Sequence, residues 1–193
     1  MKKSSDHATP LDENETQGLL LPHITTKTEL DRWEQENINE AVLWVDKTKP
    51  KNILDISFAF KLHKKMFGKV WKWAGTIRKS GKNIGSPWLR VQPDLKILFG
   101  DTEYWIKNNT FNHDEIGARF HHKLVYIHPF ANGNGRHARL MTDILMKYIL
   151  KDQIFSWGSK GMNKRGESRS KYISALKLAD NGDYSLLIKF VRS

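Results

Sequence analysis

"HPFANGNGRHAR", residues 128–139, decides how the rest of this chain is read. It separates two apolar stretches, "IGARFHHKLVYI" before it and "LMTDILMKYIL" after it. Pro129 disfavours right-handed helical geometry at the residue before it, so the first helix should end at His128. Gly133 and Gly135 let the backbone turn tightly and approach a ligand without Cβ interference. The next helix is expected to start near Gly135, and its first amides lack intrahelical acceptors. Those donors, with the positive end of the helix dipole, make an anion site. Arg136 and Arg139 lie one turn apart on the same face, where both guanidinium groups would serve one anion. No Lys-Ser/Thr pair follows the glycines, so this is not a Walker A loop.

A histidine at the rim of a phosphate cradle points to proton abstraction from a hydroxyl that attacks phosphorus. An ordinary imidazole pKa of about 6.5 leaves it able to accept that proton near neutral pH. The plainer alternative is a connector with a helix cap and two surface arginines. Phe130, which would anchor the loop to the core, and the buried helices on both sides favour a functional loop.

Working outward, residues 1–25 are polar and turn-rich and form an N-terminal arm. Residues 26–193 form a single domain. Thr26 and Glu29 make a capping box for a helix over 26–49, stopped by Pro50. Leu30, Trp33, Asn37, Ala41, Trp44 and Val45 mark its inward stripe. A second helix spans 55–67, with Ile56, Ala59, Phe60, His63 and Phe67 inward and Gly68 as its C-terminal cap. "VWKWAGTIRKSGKNIGSPWLRVQP" (70–93) is rich in glycine and β-formers, so a short hairpin flap with a basic turn at Lys79–Lys82 is expected there. Helices resume at 93–109, 113–127 (capped by Asn112), 135–151, 169–180 and 184–191. The fold class is therefore mainly α, with one small β excursion.

Composition sets bounds around this. There is no cysteine, which excludes disulfides and thiolate metal sites and suits a cytoplasmic location. No apolar run approaches the ~20 residues of a membrane span, and no hydrophobic segment follows the N-terminal lysines. A net charge of +11 admits nucleic acid, nucleotide phosphates or acidic protein faces as partners. Much of it is scattered lysine, and only "KSGK" (79–82) and "NKRGESRSK" (163–171) are locally basic.

Residues 128–139 resemble the signature of the Fic (Fic/Doc) family, His-Pro-Phe-x-(Asp/Glu)-Gly-Asn-Gly-Arg-x-x-Arg. His128, Pro129, Phe130, Gly133, Asn134, Gly135, Arg136 and Arg139 match. "KMFGKVWKWAGTIR" (65–78) resembles the approach to the family's flap, and residues 168–191 resemble its closing helices. The likeness covers about 50–191, and the arm is similar to that of the mobile mystery protein B subgroup.

The resemblance implies a Fic-like helical core with a β-hairpin flap, and transfer of AMP from ATP to a hydroxyl of a target protein. It implies His128 as general base for a Ser, Thr or Tyr hydroxyl and Phe130 as core anchor. Asn134, Gly135 and Arg136 would hold the α- and β-phosphates beside Gly133, and Arg139 the β/γ end. Pyrophosphate would leave with Mg²⁺ as cofactor. An edge strand at Lys82, Asn83 and Ile84 would dock the target. An antitoxin or other regulatory partner is a further candidate. "TPLDEN" (9–14) fits the family's inhibitory pattern, with Glu13 set to occupy Arg139, although Pro10 argues against a helix there.

The chain departs from the pattern at Asn132, where the family carries the acidic residue that binds Mg²⁺. An amide oxygen brings no charge, so metal binding would be weak. Two alternatives stand beside AMP transfer. One is a variant of the fold that moves another nucleotide or phosphate group, or is weakly active because of Asn132. The other is a basic nucleic-acid-binding or toxin-partner module. His121 and His122 point about 100° apart on their helix, which suits core histidines better than a metal set. Arg169 and Tyr172 lie toward the expected nucleotide-base side.

Overall fold

The structure is a computed structural model of the chain and describes residues 18–21, 24, 26–81, 85–159 and 165–193. Seven α-helices run through these residues: α1 (Lys27–Thr48), α2 (Ile56–Phe67), α3 (Val91–Lys107), α4 (His113–Ile127), α5 (Asn134–Ile144), α6 (Arg165–Asp180) and α7 (Ser185–Arg192). None of them is long and apolar enough to cross a membrane.

The helix ends follow local chemistry. At α1, the Glu29 amide donates to Thr26 Oγ1 at 3.3 Å, and Glu29 Oε2 accepts from the Thr26 amide at 3.1 Å. That reciprocal pair satisfies two orphan donors. Lys49 then turns left-handed before Pro50. Asp55 caps α2, and the Asn112 side chain caps α4 by accepting from the Glu115 amide at 2.9 Å. Pro93 sits in the first turn of α3, behind a single 3₁₀ turn at Trp88–Arg90. Helix α5 does not run on as α-helix to residue 151; it relaxes into a π-turn over Leu145–Leu150.

Helix α4 is the centre, packed against α3, α5, α6 and α7, while α1 and α2 pair and α2 reaches α5. Phe120, Leu124, Ile116, Met141, Leu145 and Leu62 are among the fully buried side chains of the shared core. The inward stripe of α1 differs from the sequence expectation. Asn37, Ala41 and Val45 are buried, but Trp33 is 41% exposed and the neighbouring Glu34 is buried instead. The reason is a partner that spacing does not reveal, a guanidinium on α5.

No strand occurs among the described residues; the one β feature is an isolated antiparallel bridge between Leu19 and Trp71. It ties the end of the arm to the chain after α2, with Leu20 N–H donating to Val70 C=O at 2.8 Å. Within the stretch expected to form the hairpin (70–93), the described residues on either side of 82–84 do not pair with each other as strands. Their backbone donors go elsewhere: Arg78 N–H to Pro129 C=O at 3.1 Å, and Ser86 N–H to Tyr126 C=O at 3.2 Å. Lys82, Asn83 and Ile84, proposed as the docking edge, lie outside the described residues, as does Glu13.

Candidate active site

The loop expected from the sequence connects α4 to α5, and its start and finish are both left-handed. His128 ends α4 with φ 54° and ψ 59°, and Gly133 caps α5 with φ 75°. A non-glycine residue in that region directly before a proline is strained, and such strain collects at functional positions. At Gly133 a side chain is excluded twice over. The backbone favours glycine, and a Cβ would lie 2.6 Å from the Phe67 ring.

Asn134 locks the turn between them. Its side-chain oxygen accepts from Phe130 N–H at 2.9 Å, and its amide nitrogen donates to Phe130 C=O at 2.8 Å. The Asn134 side chain is thereby committed to the loop, so its backbone N–H is what it offers a ligand. The first intrahelical bond of α5 is His137 N–H to Gly133 C=O at 2.9 Å. The amides of Asn134, Gly135 and Arg136 therefore have no helical acceptor, and a chain of positive dipole stands behind them. Gly135 is exposed, and a Cβ there would meet nothing within 4 Å, so this helix end faces open space.

Phe130 holds the loop from beneath. Its buried ring stacks on His63 with centroids 3.7 Å apart and meets Phe60 and His137 edge-on at 5.5 and 4.9 Å. His63 is a second strut that sequence reading placed inward but gave no role. Its Nδ1 accepts from Gly75 N–H at 2.9 Å, which fixes the proton on Nε2, and Nε2 donates to Asn132 C=O at 3.1 Å. Complete burial holds the His63 imidazole well below its ordinary pKa, with the neighbouring His137 adding to the effect. It is neutral, as this donor–acceptor role requires.

The two arginines of the loop are held by different neighbours rather than converging on one point. Arg136 Nη1 donates to Glu34 Oε2 at 2.5 Å, and its guanidinium lies 4.8 Å from the Phe67 ring centroid. Glu34 Oε1 also accepts from the Trp71 indole N–H at 2.6 Å. Arg139 lies between the rings of Tyr172 and Trp157, at 5.0 and 5.5 Å. Arg169 is exposed on α6. His121 and His122 are both buried on α4: His121 Nε2 lies 2.8 Å from Tyr172 Oη, and His122 bonds Asp180 and Tyr184.

Behind Arg139 sits Asp143, to which nothing in the sequence pattern assigns a role. It accepts from the Trp157 indole at 3.0 Å, and burial pushes its carboxyl up to about 7 despite that hydrogen bond and the nearby Arg139. The folded protein thus binds a proton on Asp143 that the unfolded chain, with an ordinary carboxyl near 3.8, has released. Ionisation of Asp143 therefore costs nothing below pH 4, costs progressively more between pH 4 and 7, and levels off above that. Asp143→Asn keeps an acceptor for Trp157 and cannot ionise. Its unfolding free energy should match the wild type at pH 4 and exceed it at pH 8, by an amount on the order of a few kcal/mol. An equal offset at both pH values would refute this.

The described residues make no preformed metal site. No cluster of three His, Cys, Asp or Glu side chains able to hold a metal occurs among the described residues. Asn132 offers one neutral oxygen, and that oxygen already accepts from the Gly133 amide at 2.7 Å. A surface cavity of about 350 Å³ lined by Lys51, Ile53, Glu103 and Ile149 shares no residue with this loop.

Comparison with known proteins agrees with this architecture. The sequence profile of the Fic/DOC family matches residues 53–146. Protein adenylyltransferase Fic of Drosophila mojavensis is 30% identical over 135 residues, 68% of this chain and 25% of that protein. The Aedes aegypti protein of the same name is 30% identical over 145 residues, 73% of this chain and 26% of its own length. The chain thus spans about a quarter of the length of these relatives. Among solved structures, a fragment of Fic-1 from C. elegans superposes with a TM-score of 0.67 at 23% identity, covering 90% of this chain and 50% of that one. The N-terminal Fic domain of a Bartonella quintana effector, solved with bound ADP, gives a TM-score of 0.65 at 16% identity over 89% of this chain and 86% of its own. With its signature loop folded as a left-handed turn into an open helix N-terminus, this chain belongs to the Fic/DOC family.

Proposed function

We propose that the protein transfers AMP from ATP to a hydroxyl side chain of a protein target. The observation that carries this is the open amide end of α5 at Asn134, Gly135 and Arg136, standing one turn of loop from His128. A triphosphate on those amides is stabilised by the helix dipole and by Arg136 and Arg139 on either flank. The attacking Ser, Thr or Tyr oxygen forms a bond to the α-phosphorus, and the bond from that phosphorus to the bridging oxygen of pyrophosphate breaks. His128 accepts the proton that the hydroxyl loses. The fixed amides and guanidinium groups stabilise the charge that builds on the phosphate oxygens, which is where most catalysis of phosphoryl transfer arises. Support for AMP as the transferred group comes from the relatives named adenylyltransferases.

Incubating the protein with a cell lysate and ATP labelled at the α-phosphate should label a protein. ATP labelled at the γ-phosphate should label none. Label from the γ position would instead mean phosphate transfer. Salt-sensitive retention of nucleic acid with no label transfer would mean a binding module.

Mg²⁺ would reach this site on the triphosphate, with Asn132 Oδ1 as a weak protein ligand. Magnesium leans on carboxylates and phosphates, so Asn132→Asp should lower the Mg²⁺ concentration for half-maximal rate by about tenfold. An unchanged Mg²⁺ titration would remove Asn132 from the metal's surroundings. The Asn132-Gly133 pair is prone to deamidation, so the mass of the wild type is checked first.

A further inference from the structure

Arg78 precedes residues 79–87 and lies outside the signature loop, yet its side chain reaches the loop's first residue. It is only 3% exposed. Its Nε donates to the carbonyl of His128 at 2.6 Å, its Nη1 to the carbonyl of Ser80 at 2.8 Å, and its Nη2 to the carbonyl of Ser86. Its own backbone N–H donates to Pro129 C=O at 3.1 Å, and Ser86 N–H donates to Tyr126 C=O. The last carbonyls of α4, which a helix end leaves without partners, are thus taken up by this segment. Next to it, Gly85 has φ +100°, and a Cβ there would sit 2.7 Å from the His128 Cβ. The segment rests directly on the residue assigned as base, and His128 is 5% exposed beneath it.

We infer that Arg78 is a positioning residue, whose guanidinium fixes the backbone of His128 and both approaches to residues 82–84 in one arrangement. The three carbonyls come from positions 80, 86 and 128 and are brought together by a planar cation with donors in three directions. Burial of that charge is tolerated where all three acceptors converge, so the Ser80 and Ser86 limbs cannot shift without releasing His128. The negative end of the α4 dipole also favours the cation at this end. Lysine has the charge but a single nitrogen, and cannot serve three divergent acceptors. The imidazole is held in its left-handed, strained backbone by this clamp on one side and by Pro129 on the other.

The kinetic part of this inference rests on the transfer reaction proposed above; the structural part does not. The full chain is compared with Arg78→Lys and Gly85→Ala in three measurements: ATP affinity by calorimetry, transfer of α-labelled AMP, and histidine ring resonances by NMR. Each variant should bind ATP within twofold of wild type and lose transfer by roughly 10–100-fold, as misplacement of a reacting group does. The His128 ring signals should move while those of His63 and His137 stay. An unmoved His128 ring or unchanged transfer overturns the inference. So do a parallel loss of affinity and rate with all three rings disturbed, and failure of both variants to fold, since each assigns Arg78 to structure alone. Should the wild type transfer no label, the proposed reaction fails, and the ring signals decide the role of Arg78 by themselves.

Discussion

Replacing His128 by alanine should lower the rate of AMP transfer by about 10²–10⁴-fold, the usual worth of a positioned general base. ATP affinity should stay within about twofold, because the anion-binding groups proposed above are the first amides of α5 and the two arginines rather than the imidazole. The two parts of the site rest on different supports. His128 is placed by the end of α4, Pro129 and the Arg78 clamp, whereas the amides are placed by Gly133 and the Asn134–Phe130 hydrogen bonds. A truncation at 128 therefore removes the proton acceptor and leaves the cradle standing. The pair of measurements is initial-rate transfer of α-labelled AMP and calorimetric binding of ATP. Full activity in the variant would remove the base, and loss of binding in step with rate would mean that the imidazole serves the nucleotide instead.

Phe130→Ala should be the most damaging single change to stability. The ring is fully buried and fills the space between His63, Phe60 and His137, with His63 in near-parallel contact. Phenylalanine-to-alanine changes in such surroundings cost about 3–5 kcal/mol through lost burial and the cavity left behind. For a domain of this size that corresponds to a fall in melting temperature of roughly 10 °C. The loss does not stay local. Phe130 supplies both backbone groups that Asn134 binds, so loosening it loosens the turn into α5 and the amide cradle with it. ATP affinity should then fall together with transfer, the opposite of the His128→Ala pattern. Phe130→Leu, which keeps most of the volume, should recover part of the stability. A melting temperature within 2 °C of wild type for Phe130→Ala would show that the loop is not hung from this ring.

Helix positions and the loop itself were legible because they are local. Thr26 with Glu29, Asn112 with Glu115, and Pro129 after His128 each set a boundary through neighbours in the chain. Gly133 announced a left-handed turn for the same reason. The family signature added the roles of residues that periodicity cannot assign. Glu34 shows the limit. On α1 it occupies a position that a hydrophobic pattern would give to Trp33, and its burial makes sense only against Arg136 and Trp71, far along the chain. The expected hairpin shows no strand among the described residues for a related reason. The residues favour strands, but the donors of Arg78 and Ser86 find carbonyls at the end of α4 instead of each other.

By itself the sequence determined a mainly helical domain, a polar break between two buried helices, and a glycine-bearing helix start with a histidine upstream, since each depends on residues a turn or two apart. Only the tertiary structure decided which neighbours hold that break. His63 under Asn132, Arg78 on the His128 carbonyl and Glu34 on Arg136 are buried polar groups, and Asp143 behind Arg139 is a half-buried one. Three of these groups draw their partners from distant segments, and the fourth owes its raised carboxyl pKa to the walls the fold puts around it. Desolvation makes such groups costly until the fold supplies the matching donor, acceptor or charge, and no local pattern encodes that meeting.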